Sequence, residues 1–159
     1  MQMNLFTRFD AMTTKDRNKH FFEVVNPRLD QLARLICEAS GMDDQVLGET
    51  RYQELYAYYQ EQISLGFWHP GLTETIADFT AVHDASAALP YYRLSLEQAR
   101  ELDLDSCSIL ISMAEALFEA GQKEQAEACL RDGRAEALKS GDNEHVEEAD
   151  RISREMSAS

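Results

Sequence analysis

The side chains of this sequence that could do chemistry are four histidines, three cysteines and a large excess of carboxylates. His20, His69, His83 and His145 stand far apart, form no HExxH pair, and have no cysteine near them along the chain. A metal ion held by one helix needs ligands three or four residues apart, and that spacing is missing. Cys37, Cys107 and Cys129 are odd in number and make no CxxC pair. They read as reduced, small core residues, not as a disulfide frame or a metal site. Acidic pairs such as Asp43/Asp44 and Glu147/Glu148 are common in a chain with 29 acids against 15 bases, and read as solvated faces. No glycine-rich phosphate loop and no GxSxG turn is present. The expectation is a protein with no catalytic residue, no metal and no cofactor.

The charge narrows the partners. A formal charge of −14 would repel the phosphates of nucleic acid and an anionic membrane surface. It favours solubility, and it would steer a basic partner from a distance. A length of 159 residues suits a single domain with one core, and a hydrophobic fraction of 44% is ordinary for a globular chain. The first residues hold no apolar stretch of signal-peptide length, and no run approaches the ~20 residues of a membrane span. A cytoplasmic protein is expected.

The elements that must position any site are helices. Apolar residues recur at intervals of three and four, and strand-like runs of Val, Ile and Thr are missing. A short helix is expected over 4–12, with Leu5, Phe6 and Phe9 on one side, and a second over 14–25. Asn26-Pro27 reads as the start of a third, with Asn as cap and Pro in the first turn. Gly41 reads as its stop. A fourth, over 49–65, carries Tyr52, Leu55, Tyr56, Tyr59 and Ile63. The 66–71 segment, with Phe67 and Trp68 between glycines and Pro70, reads as a loop. Helices follow over 72–82, 85–103, 106–120, 123–140 and 143–156. Asp105 and Asp142 are the expected N-caps, and Gly121 and Gly141 the expected stops. Pro90 conflicts with the 85–103 helix, because it cannot donate to the Ser86 carbonyl; a kink or a start near Ala87 is expected.

A shift of 38 residues lays Leu72 on Leu110, Ile76 on Ala114, Phe79 on Leu117, Ala88 on Ala126 and Tyr92 on Leu130. Such a period marks stacked helical hairpins. The stretch ILISMAEALFEAGQKEQAEACLRDGRAEAL, residues 109–138, resembles a tetratricopeptide repeat, with Ala114 and Ala126 as the small residues where two helices cross. The preceding stretch matches more weakly, with His83 in place of the turn glycine. The resemblance covers about residues 70–142. It implies an all-α fold of antiparallel hairpins in a short right-handed solenoid, with residues 1–66 as extra N-terminal helices and residues 143–159 as a capping helix and tail.

In that family the first helix of each hairpin lines a concave groove. The resemblance therefore implies a partner surface at Thr73, Ala77 and Thr80 in one repeat and at Ser108, Ile111, Ser112, Glu115, Phe118 and Glu119 in the next. Trp68 is a further candidate anchor, although a loop tryptophan more often closes a core. The groove reads as mixed apolar and acidic, suited to a basic or amphipathic protein segment; if preceding helices bury Ile111 and Phe118, no groove remains. A clamp for C-terminal carboxylates is excluded, since these positions carry no cation. Three functions stay open: an immunity-type protein that binds and neutralises a toxin or effector, an acidic secretion chaperone, and an enzyme or small-ligand protein using Tyr52, Tyr56 and Tyr59.

Overall fold

The computed structural model describes residue 9 and residues 11–159. The helix expected over 4–12 falls mostly outside them. The protein is all-α: the described residues contain no strand, and no helix long and apolar enough to cross a membrane. The helices are α1 (Thr14–His20), a π turn (Phe21–Val25), α2 (Asn26–Gly41), α3 (Gln45–Ser64), α4 (Pro70–Ala81), α5 (Ala85–Glu101), α6 (Cys107–Glu119), α7 (Lys123–Ser140) and α8 (Asn143–Ala158). Packing divides the chain into two compact units, one ending at Ile76 and one comprising Ala77–Ser159. The boundary lies inside α4.

In the first unit, α1, the π turn and α2 run on without a break. Asn26 does not start a helix as its sequence context suggests. Its backbone is already helical, its N–H bonds back to the Phe21 carbonyl, and its amide donates to Asp30 at 3.2 Å. The wide turn sits just ahead of Pro27, where a regular turn would press the ring against the Glu23 carbonyl. α2 does end at Gly41, although not through a left-handed glycine. The left-handed residue is Asp43, at φ 53°. Asp44 then caps α3 by accepting from Leu47 N–H at 2.9 Å, which starts that helix four residues before the expected Glu49. Val25, Leu29, Leu32, Ala39, Leu55 and Phe67 are buried.

Arg17 is buried at 3% exposure and is the unusual member of this unit. Its guanidinium donates to the carbonyls of Phe9 (2.8 Å) and Trp68 (2.9 Å) and lies 4.1 Å from the centre of the Trp68 ring. Two carbonyls and a π face thus compensate the loss of water around the charge.

In the second unit, α6 packs against α5, α7 and α8. The α6–α7 pair is antiparallel: Ser106, just before α6, donates its hydroxyl to Glu136 late in α7 at 2.7 Å. Ala114 and Ala126 are fully buried, as two crossing helices require. Gly121 (φ 79°) and Gly141 (φ 77°) make the turns after α6 and α7 in the left-handed conformation. Asp142 caps α8 through His145 N–H at 3.1 Å. Asp105 accepts from Cys107 N–H at 2.8 Å, while Ser106 occupies the cap position itself. The helix around Pro90 does not start late: α5 begins at Ala85, capped by Asp84 through Ala87 N–H at 3.0 Å, and runs through the proline.

Candidate functional site

One face of α6 lines an open cleft, with Glu119 exposed, Ser112 and Glu115 half-buried and Ala116 buried. Ser112, Glu115, Ala116 and Glu119 follow at intervals of three, one and three, so they share one face of a 3.6-residue helix. They form one wall of a cleft of about 360 Å³, whose other walls are Asp78, Ala81, Val82 and Tyr92. Three of the expected partner residues, Ser112, Glu115 and Glu119, therefore meet in one place.

The others do not join them. Ile111 is 1% exposed and points at α7, its Cγ1 within 3.0 Å of where a Cβ on Gly133 would stand. Phe118 is half-buried and packs on the hydrophobic core of the second unit. Ser108 is half-buried outside the cleft. Ala77 and Thr80 are buried, and so is Thr73, which belongs to the first unit and donates to the His69 carbonyl at 3.4 Å. These residues offer no open groove wall. The expected surface was set one step too wide around the helix, so that it took in the inward positions 111 and 118. Trp68 is half-buried beneath Arg17, and its neighbour Phe67 is wholly buried.

Sequence reasoning missed Asp78, Ala81, Val82 and Tyr92. The repeat itself held a signal, because the shift of 38 lays Asp78 on Ala116 and Ala81 on Glu119. Tyr92 fixes Asp78 by donating its hydroxyl to Oδ1 at 2.7 Å. Crowding by surrounding atoms raises the Asp78 carboxyl above its ordinary range, Glu148 adds to the rise, and the Tyr92 bond opposes it. The Asp78 side chain nevertheless stays open to solvent. Burial also raises Glu115; Arg151 lowers it, while Glu148, Glu119 and Glu155 raise it. Arg151 is shared, 3.7 Å from Glu115 and 2.8 Å from Glu155. The cleft thus gathers the carboxylates Asp78, Glu115 and Glu119, of which Asp78 and Glu115 are raised mainly by burial, with Arg151 the cation that offsets Glu115. Val82, 77% exposed, is an apolar residue on the same wall.

A second cluster lies elsewhere in this unit. Cys107 at the start of α6, Asp142 at the cap of α8 and His145 in its first turn bring a thiol, a carboxylate and an imidazole within 4.8 Å of one another. The expectation that no histidine neighbours a cysteine holds along the chain and fails in space. The shift of 38 carries Cys107 onto His145, which is the signal in the sequence. The trio has the composition of a Cys–His–Asp triad, and His145 Nδ1 sits 2.7 Å from Asp142 Oδ2. Burial and the adjoining Asp105 push the Cys107 thiol up to about 12, so the thiolate needed for nucleophilic attack is suppressed. Tyr52, Tyr56 and Tyr59 stack along α3 with successive ring centres 6.3 Å apart, and Tyr59 is buried. No protein-family model matches this chain, and no curated protein or solved structure is significantly similar to it.

Proposed function

We propose that this chain is a cytoplasmic, non-enzymatic, tetratricopeptide-like protein that binds a basic segment of a partner protein in the Asp78–Glu115–Glu119 cleft and thereby neutralises it, as immunity-type inhibitors do. The observation that carries the reading is the meeting of three carboxylates, Asp78, Glu115 and Glu119, around a cleft that also offers an exposed apolar side chain. Burial raises Asp78 and Glu115 first and neighbouring carboxylates add to it, so a lysine or arginine entering there would offset the cost of holding both ionised. Val82 supplies the apolar contact that a purely electrostatic surface lacks. The net charge of −14 would speed the encounter, over a distance that screening limits to about 10 Å at 0.1 M salt.

The test uses the wild-type chain and a Glu115→Lys/Glu119→Lys double variant as cross-linking baits in cells, with captured proteins identified by mass spectrometry. A partner with a basic contact surface should be held by the wild type and lost by the variant. Its association rate with the wild type should fall as salt rises. If that partner's activity is blocked in the complex, it is being neutralised; if it stays active and only becomes more soluble, the protein is a chaperone. A partner held equally by both baits, or one that is itself acidic, would defeat the reading.

A further inference from the structure

We propose that Cys107, Asp142 and His145 form a binding site for a divalent transition-metal ion of the zinc class. The site is separate from the acidic cleft and does not depend on it. Cys107 opens α6, whereas Asp142 and His145 come from the first turn of α8, so the two helix starts converge on one point. One potential ligand atom from each residue lies within 4.8 Å of the other two. Tetrahedral zinc, with bonds near 2.3 Å to sulfur and 2.0–2.1 Å to nitrogen or oxygen, sets its ligand atoms roughly 3.3–3.7 Å apart. His145 Nδ1 and Asp142 Oδ2 are already 2.7 Å apart, and an ion between them needs an opening of only about half an ångström.

The donor set selects the metal. Magnesium and calcium take oxygen ligands, whereas a thiolate, an imidazole and a carboxylate together suit zinc or a chemically similar ion. The cap of α8 accounts for Asp142 and for His145, whose ring bonds the same carboxylate, but gives no reason for a thiol from α6 to come within reach of both. The two helix starts carry about half a positive charge each, which alone would repel a cation. The Cys107 thiolate and Asp142 supply two negative charges against this. Asp105, bonded to the Cys107 amide at 2.8 Å, supplies a third from the next position out. Binding exchanges the thiol proton for the metal and releases it to solvent, with His145 binding as neutral imidazole. Three protein ligands leave a fourth position for water. Cys107 is 4% exposed, and the half-exposed Asp142 and His145 provide the way in.

The experiment titrates the full-length protein, stripped with a chelator and kept reduced, with Co²⁺ as an optical stand-in for zinc. One equivalent should bind, with a thiolate-to-cobalt charge-transfer band and the intense visible bands of a tetrahedral site, and Zn²⁺ should displace it. Cys107→Ser should abolish the charge-transfer band, whereas Cys37→Ser and Cys129→Ser should leave it intact. His145→Gln changes a half-exposed side chain and should weaken Co²⁺ binding by about tenfold or more. Zn²⁺ should raise the melting temperature of the wild type, and at the same concentration raise that of His145→Gln less. A missing charge-transfer band at saturating cobalt, a band that survives Cys107→Ser, or equal affinity in His145→Gln would each overturn the site. If Cys107→Ser does not fold, the His145→Gln comparison decides alone.

Discussion

Gly133 faces Ile111 across the α6–α7 crossing so closely that a Cβ on Gly133 would lie 3.0 Å from Ile111 Cγ1 and 3.0 Å from Leu110 Cβ. Leu110 Cβ is fixed to the α6 backbone, so it cannot yield unless the helix moves. Gly133→Ala should gain about 1 kcal/mol of helix propensity and lose about 1–3 kcal/mol to overpacking. A net destabilisation is expected, measured as a lower urea midpoint with an unchanged slope. An unchanged or higher midpoint would show that the two helices separate at little cost.

Arg17→Ala should be among the more damaging single changes in the first unit. It strips the guanidinium from the carbonyls of Phe9 and Trp68 and uncovers the indole ring. The expected loss is roughly 2–4 kcal/mol, because two acceptors lose a charged donor and a cavity is left. Trp68 is the only tryptophan, so its emission reports the change directly. It should shift to the red in the folded variant, and identical emission would contradict the stacking.

His69 gives the protein a sensitivity to acid. Its ring stacks on Phe21 at 3.9 Å, Nδ1 accepts from Gly71 N–H at 3.1 Å, and Nε2 therefore carries the proton shared with Asn18 Oδ1 at 2.9 Å. Protonating Nδ1 would set two donors against each other. Burial, with the nearby Arg17 charge adding to it, lowers the group to about 4. The folded value lies below the ordinary one near 6.5, so the stabilisation is complete above that pH and is lost as pH falls towards 4. The loss amounts to roughly 3 kcal/mol. Urea unfolding at pH 7 and pH 4.5 should show it, and His69→Gln should have a flatter profile across this window. An NMR titration midpoint near 6.5 would refute the assignment.

Pro90 is exposed, and it sits inside α5 where the Ser86 carbonyl cannot receive its missing N–H. Pro90→Ala restores that bond and should raise stability by about 2–3 kcal/mol. Helix propensity favours the change by ~3 kcal/mol, and the freer unfolded chain takes back up to ~1 kcal/mol. A lower melting temperature would mean that α5 depends on its proline.

From α6 onward the helices were legible because their ends had punctuation: Asp142 as a cap, Gly121 and Gly141 as left-handed stops. The first unit was harder to read, because its punctuation misleads. Asn26-Pro27 has the form of a helix start, yet a local π turn absorbs the proline, and no sequence rule specifies a π turn. Arg17 could not be singled out either, because its partners are backbone carbonyls, and any residue carries one. The cleft was half legible. The resemblance to a tetratricopeptide repeat pointed to Ser112, Glu115 and Glu119, but whether Ile111 and Phe118 face outward depends on where the neighbouring helix lies. The Cys107–His145 meeting is a matter of tertiary approach, and only the repeat period hinted at it.

The π turn also keeps the buried seam of its rod straight. Arg17, Phe21, Val25 and Leu29 are all buried and follow at steps of four. Each such step overshoots a full α-helical turn by about 40°, so three steps would swing the seam through about 120°. The extra residue in the wide turn takes back most of that rotation, about 100°. Phe21–Val25 therefore acts as a phase corrector, aligning two apolar stripes that would otherwise wind past each other. Inserting or deleting one residue between Arg17 and Phe21 would swing Arg17 away from Trp68 and leave α2 in place. This makes the span a natural point for tuning one end of the rod without repacking the other.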